Sequence, residues 1–392
     1  MLYSDCIEKL LQLEDVIVTN IQCIKKEMHI HLKMEQRFHK CPECGKETSK
    51  IHDYRIQLVK DISICGYNTI LHLKKRRHVC PDCGKKFYED IEFLPKYHRF
   101  TNRVFMQVFA QLKDCRSIKS IALANNMSST TAAKVVNMIK YSPSKLPEVL
   151  AIDEFRGNAE GERFQCILAD PKNRKVVDIL PSRKHEEIYR YLGQFTNKSD
   201  VKVVVMDMTG GYKTLMKRLF PQATIVIDKY HYVRQIGFAI EKVRVEEQKQ
   251  YSDRWRKYFK RSRTVLLKNP AKLTITDRIQ LDNMFRISPR LKKAYELKQM
   301  FELVKESSCR QEASLKLAKF IVAAQASGLE PFVNVSLTFQ RWSKEILNSF
   351  DHPYTNGYIE GCNNRIKVLK RVSFGMPRFK RFRRRILHIM IN

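Results

Sequence analysis

No apolar run in this sequence reaches the roughly 18–20 residues that cross a bilayer as a helix, which excludes a helical membrane span. The first residues, MLYSDCIEKLLQLEDV, mix acids with apolar positions and lack the basic-then-apolar layout of a signal peptide. The chain is therefore expected in the cytoplasm, with no membrane partner. An even set of cysteines is also missing. The 11 present are an odd number, which in a cytosolic setting argues against a disulfide framework. Acidic charge is short as well: 73 Lys and Arg face 41 Asp and Glu, a formal net charge of +32. Hydrophobic residues still make up 43% of the 392 positions, enough to bury a core in two or three domains of roughly 150 residues each. The basic surplus runs along the whole chain, densest at 74–77, 254–263 and 378–385. Such a surplus on a chain of ordinary hydrophobicity points to a polyanionic partner, nucleic acid ahead of a ribosomal or membrane surface.

Four of the cysteines are organised. CPECG at 41–45 and CPDCG at 80–84 are two copies of one tight turn, in which proline and glycine let both sulfurs face one ion. Together they supply Cys41, Cys44, Cys80 and Cys83, a closed thiolate set that suits one structural Zn²⁺ rather than a redox dithiol. His39, His52 and His78 lie nearby but are not needed to fill that shell. Between the turns, YRIQLVKDI and NTILHLKKRRHV read as strands, and the basic LKKRRHV is expected to face phosphates. Upstream, a short helix at about 4–13 precedes β-like sequence in which His29 and His31 read as exposed strand positions. Cys6, Cys23, Cys65, Cys115, Cys166, Cys309 and Cys362 read for the most part as small buried hydrophobes.

Residues 99–140 read as helical. SIKSIALANN and MSSTTAAKVVNMI predict two helices joined by a turn at Asn125–Met127, with Ala122 packed where they cross. Ser128 is a suitable N-cap, and Thr130, Thr131 and Lys134 face outward behind it, the pattern of a helix-turn-helix with a polar recognition helix. The linker YSPSKLPEV at 141–149 marks a boundary.

The stretch that follows, VLAIDEF at 149–155, is an apolar strand holding Asp153 and Glu154 on opposite faces. A second apolar run, VKVVVMDM at 201–208, ends in Asp207. Carboxylates inside apolar strands are costly unless they are paired or hold a metal, so two such strands predict one shared site. Around them come a hairpin over 164–181 turning at 170–173, a helix at HEEIYRYLGQF, a helix at 210–220 and a strand at 223–233. The order β-β-β-α-β-α-β is that of an RNase H-like domain, whose first and fourth strands lie side by side. Residues 234–350 read as a basic, all-helical insertion, and 353–387 as a return to the core with a turn at Asn356-Gly357 and a helix carrying Glu360.

Taken together, the twin CPxCG module, the helix-turn-helix, AIDEF, VVMDM, DKYHY and NGYIEGCNNRIKVLKR resemble the bacterial insertion-sequence transposases of the L-three family, over essentially the whole chain. The resemblance implies DDE chemistry, with Asp153, Asp207 and Glu360 as the catalytic triad and as ligands of two Mg²⁺ ions roughly 3.5–4 Å apart. It implies cleavage and strand transfer on double-stranded DNA, at the element's terminal inverted repeats and at target DNA, by a homodimer on paired ends. It also makes the protein nucleoid-associated. Asn363, Asn364, Lys367, Lys370 and Arg371 crowd the helix of Glu360 and are expected to contact DNA. Asp228 and His231 either support the metal site from behind its ligands or form a structural hydrogen-bonded pair, and Glu154 reads as structural.

The expected architecture is thus α/β. An N-terminal β-rich zinc-binding module spans 1–97 and a helix-turn-helix 98–142. An RNase H-like domain follows in two parts, 148–233 and 351–392, around an all-helical insertion at 234–350. Two other functions remain open at this level. One is a DNA-binding regulator in which the acids are structural; the other is a nuclease that cuts without joining.

Overall fold

The computed structural model describes residues 11–390, with Arg254 described by its backbone alone. Cys6 and most of the helix expected at 4–13 lie outside the described residues. None of the described helices is long and apolar enough to cross a membrane. The chain divides into two compact units, one running up to Tyr141 and including Arg365–Met390, the other Ser142–Asn364.

The first unit opens with β1 (Val16–Ile24), β2 (Glu27–Met34), β3 (His39–Lys40), β4 (Glu47–Thr48), β5 (Ile51–Lys60), β6 (Asn68–Val79) and β7 (Lys86–Tyr88). The main sheet has the order β1-β2-β6-β5, with β7 also on β6, while β3 and β4 form a separate hairpin. β2 and β6 run parallel, and every other pair in the sheet is antiparallel. β6 buries Thr69, Leu71 and Leu73 on one face, then Arg76 and His78 on the opposite one. The switch follows from what covers it: Leu71 and Leu73 join an apolar core with Ile30, Leu32 and Val59, whereas His78 meets His39 from the β3–β4 hairpin. Arg76 is consequently not a phosphate contact. Its guanidinium donates to the Met34 and Glu35 carbonyls and to Glu89. His29 and His31 are half-buried rather than exposed, each packed on His72 across the sheet.

The same unit continues with α1 (Asn102–Gln111), α2 (Ile118–Ala124) and α3 (Ser129–Met138). Ser117 caps α2 and Ser128 caps α3, each hydroxyl accepting the amide three residues on, at 3.0 and 3.1 Å. Asn126 takes the left-handed turn between them (φ 48), and Ala122 is buried at the crossing.

The second unit is built on β8 (Val149–Phe155), β9 (Gln165–Asp170), β10 (Lys175–Leu180), α4 (His185–Gly193), β11 (Val203–Met206), α5 (Gly210–Leu219) and β12 (Thr224–Ile227). The strand order is β10-β9-β8-β11-β12, with β8–β11 and β11–β12 parallel and β10–β9 and β9–β8 antiparallel. The first and fourth strands are neighbours, as expected. β11 is buried along its whole length, which is why it reads as an uninterrupted Val/Met run. The strand expected over 223–233 is shorter: it ends at Ile227, and Asp228 starts α6 (Lys229–Gln248).

Helices α7 (Asp253–Arg261), α8 (Arg263–Leu267), α9 (Ile275–Ile287), α10 (Pro289–Lys305), α11 (Arg310–Gln325) and α12 (Glu330–Asp351) follow with no strand among them. They do not stand apart from the sheet. The Tyr232 ring of α6 packs edge-on against Phe301 and Phe339, and one apolar core runs from Leu150 and Val204 through to Ile346.

Then α13 (Gly357–Val372) passes from the second unit into the first, and α14 (Phe379–Met390) belongs to the first. Within the first unit Arg385 of α14 is fully buried and donates to the carbonyls of Leu112, Asp114 and Arg116 after α1. His388 adds a bond to the Phe109 carbonyl at 2.7 Å.

Candidate active site

The two CPxCG turns superimpose chemically as well as in sequence. Gly45 (φ 74) and Gly84 (φ 72) take the left-handed conformation that closes each turn, and each amide donates to the carbonyl of the turn's first cysteine. The turns then meet. Cys41 Sγ lies 3.5 Å from Cys83 Sγ, and Cys44 Sγ 3.5 Å from Cys80 Sγ. A tetrahedral zinc–thiolate site needs sulfurs about 3.8 Å apart, so the four atoms fit zinc with little adjustment. The Cys44 backbone N–H draws the Cys41 thiol down to about 7, whereas burial and the facing sulfurs raise Cys44 and push Cys83 up to about 12, a crowding of thiols that a shared cation relieves. Two crossed ion pairs, Lys46–Asp82 and Lys85–Glu43 at 2.8 Å, tie each turn to the other. Among the described residues, the remaining cysteines that are the buried hydrophobes expected are Cys166 and Cys362; Cys23, Cys65 and Cys309 are exposed and Cys115 is half-buried.

The second unit gathers carboxylates. In the β8–β11 register Val205 pairs with Ala151, so continuing it sets Asp207 opposite Asp153 at the carboxyl ends of the two central strands. Asp153 Oδ1 accepts the Glu154 amide at 2.7 Å, and its Oδ2 accepts from Asn363 Nδ2 at 2.9 Å. Asp207 Oδ1 takes Asn356 Nδ2 at 3.3 Å and His231 Nε2 at 3.0 Å. Asp228, buried at the head of α6, accepts the Asn356 amide at 3.1 Å. Glu154 points elsewhere, held by Arg183 at 2.7 Å and by the Tyr212 hydroxyl at 2.9 Å.

These acids are crowded and partly dry. Burial, then the nearby charges of Asp153, Asp228 and Glu154, push Asp207 up to about 7. Burial likewise raises Asp153. A site that holds more negative charge than its protein partners neutralise suits a divalent cation, and hard carboxylate oxygens suit Mg²⁺ in particular.

Glu360 sits on the first turn of α13 with its side chain exposed, and the structure gives it no bond to either aspartate. What connects it to them is the pair of asparagines on either side of it in sequence. Asn356, Glu360 and Asn363 fall at i, i+4 and i+7, and the Glu360 amide donates to the Asn356 carbonyl at 2.8 Å. The two asparagines that flank it are the ones that reach Asp207 and Asp153. Asn363, expected on DNA, is buried and bonded to Asp153, and Asn356 was read only as a turn. The i, i+4, i+7 spacing in NGYIEGCN was the signal that marks both.

The residues expected on DNA otherwise lie on surfaces. Ser128, Thr130 and Lys134 are exposed on α3, with Thr131 half-buried and its hydroxyl 2.9 Å from that of Ser128. Asn364, Lys367 and Arg371 are exposed on α13, and Lys370 is half-buried.

Comparison with known proteins agrees along the length of the chain. The ISL3 zinc-finger model, described as the zinc-finger of the transposases of IS204, IS1001, IS1096 and IS1165, matches residues 37–83. A model described as the helix-turn-helix domain of transposase family ISL3 matches 89–139. The transposase of insertion sequence element IS1001 from Bordetella parapertussis is 28% identical over 364 residues, 89% of this chain and 88% of that one. The transposase of IS1557 from Mycobacterium tuberculosis is 33% identical over 116 residues, 30% of this chain and 26% of its own. A Lactococcus lactis protein described as an ATP-dependent protease is 35% identical over 121 residues, 31% of this chain and 36% of its own. The ISL3 DDE domain model, described as transposase, matches 150–386, more than half of the chain. The chain belongs to the ISL3 family of insertion-sequence transposases, with a zinc ribbon and a DNA-binding helix-turn-helix ahead of its transposase domain.

Proposed function

We propose that Asp153, Asp207 and Glu360 form the DDE triad, and that cleavage and joining of DNA at this site depend on Mg²⁺. One observation carries the reading. The helix that bears Glu360 sends Asn363 to Asp153, and Asn356 just ahead of its first residue reaches Asp207, so one continuous segment bonds both aspartates and carries the third acid between those contacts. Two Mg²⁺ ions, when bound, would supply activation of the attacking water or 3′-hydroxyl and stabilisation of the leaving oxygen. The chain's part is to hold its ligands ready. Asn363 and the Glu154 amide fix the Asp153 carboxylate, and Asn356 and His231 fix that of Asp207. Asp228 anchors the backbone of Asn356, which makes it and His231 supports of the site rather than ligands. No side-chain nucleophile is needed.

In the same reading the zinc module (1–97) and the helix-turn-helix (98–142) recognise the terminal inverted repeats. Ser128, Thr130, Thr131 and Lys134 lie on the recognition helix, and Asn364, Lys367, Lys370 and Arg371 hold DNA near the triad. Two copies act on paired ends. The test uses labelled element ends with Mg²⁺, scoring nicking and joining separately from end binding. Asp153→Asn, Asp207→Asn and Glu360→Gln each lower both reactions by 10³-fold or more, on the order of 4 kcal/mol in barrier, with end binding within a few-fold of wild type. Wild-type-level cleavage in any of the three removes that residue from the triad. Nicking without joining by the unaltered chain makes it a nuclease.

A further inference from the structure

We propose that His39, His78 and Glu89 form a second metal site, for one zinc-class divalent cation, beside the four-thiol site. The sequence repeats more than the cysteines: HKCPECG and HVCPDCG each carry a histidine two residues before the first cysteine. The pairing that joins the thiols therefore joins the histidines as well. The two rings stand 4.6 Å apart. One nitrogen from each ring and one oxygen of Glu89 all lie within 4.8 Å of one another.

Three further features point to a ligand there. His39 Nε2 and both ring nitrogens of His78 are buried with no hydrogen-bond partner, and His78 is 0% exposed. Buried polar atoms are otherwise almost always satisfied, so three in one pocket need an explanation. Glu89 is aimed by Arg76, whose amide and Nη1 bind its two oxygens at 2.7 and 3.2 Å and leave lone pairs free. Finally, His39 and Glu89 line a cavity of about 390 Å³ whose wall includes Glu14, Asp90 and Glu92. That cavity gives a cation an acidic way in and room for a water as fourth ligand. Two imidazoles with one carboxylate favour Zn²⁺, Co²⁺ or Ni²⁺ over Mg²⁺ or Ca²⁺.

The test is the stoichiometry of Zn²⁺ on the full chain, equilibrated and dialysed with Mg²⁺ in large excess so that the Asp153–Asp207–Glu360 site does not fill with zinc, and with Co²⁺ as a spectroscopic stand-in for Zn²⁺. Two metals per chain are expected. The first Co²⁺ gives thiolate-to-metal charge transfer, and the second adds only the weaker visible bands of a nitrogen–oxygen site. His39→Gln and His78→Ala each bring the count to one and keep the charge-transfer band, which also shows that the zinc ribbon is still folded. Saturation of the unaltered chain at one metal overturns the proposal whatever the variants do. Two metals retained in both variants overturns it as well.

Discussion

At the residue scale, the acids near Asp207 store an electrostatic cost that pH and metal should both reveal. Asp207 titrates near 7 when folded against 3.8 ordinarily, so between those values the folded chain binds a proton that the unfolded chain has lost. Stability from this group is therefore full below pH 4 and falls as pH rises through 7, by on the order of a few kcal/mol. Thermal unfolding in a chelator should show Asp207→Asn melting several degrees above the unaltered chain at pH 8, with the gap closing near pH 4. Adding Mg²⁺ at pH 8 should stabilise the unaltered chain and not the variant. A variant that melts lower at pH 8 would show that the cost is misplaced. The aspartates themselves were legible because a charge inside an apolar strand stands out. Asn356 and Asn363 share a helical spacing with Glu360 that the sequence does show, but an amide at a turn or on a basic helix looks like a surface group until the partner strand is in place. His231 was legible only as part of a D-x-x-H pair, with nothing in the sequence to say that it would reach Asp207 rather than Asp228.

At the element scale, α14 shows how much can rest on one buried charge. Its basic sequence, FKRFRRRILHIM, was read only as a dense basic run within a segment returning to the core, and nothing in its composition separates Arg385 from the arginines around it. Only the three carbonyls left open after α1 make that position a cap, and they are distant in sequence. Arg385→Ala should cost about 3 kcal/mol in the unfolding free energy of the first unit, because it strands the buried Leu112 carbonyl and removes two part-buried bonds, to Asp114 and Arg116. Urea unfolding followed by near-ultraviolet signals checks it, and Arg383→Ala on the same helix is the comparison. Equal, small effects from both would mean that Arg385 is dispensable. By contrast β8, β11 and the two capped helices were readable in place. Their signals are local: apolar runs, and serines three residues ahead of the amides they accept. The strand that was drawn too long, 223–233, failed because DKYHYV has strand-like aromatics while Asp228 is a good residue for starting a helix.

At the scale of the whole molecule, a net charge of +32 sets how the chain meets DNA before any base is read. Contacts to phosphates release counterions, so affinity for any duplex should fall steeply with salt, by roughly 10³–10⁵ between 50 and 200 mM if about six to ten phosphates are held. The specific part should behave differently. Thr130 and Lys134 are both exposed on α3, one short and polar, the other long and charged. Lys134→Ala should weaken element ends and unrelated duplex alike and make the salt slope shallower by about one. Thr130→Ala should leave the slope unchanged and narrow the gap between ends and unrelated duplex. Anisotropy titrations of both variants on both DNAs, at three salt concentrations, separate the two effects. If Lys134→Ala alone lost discrimination while Thr130→Ala changed nothing, the base-reading face of α3 would be turned from the one drawn here. If neither substitution mattered, recognition of the ends would rest on the zinc ribbon instead.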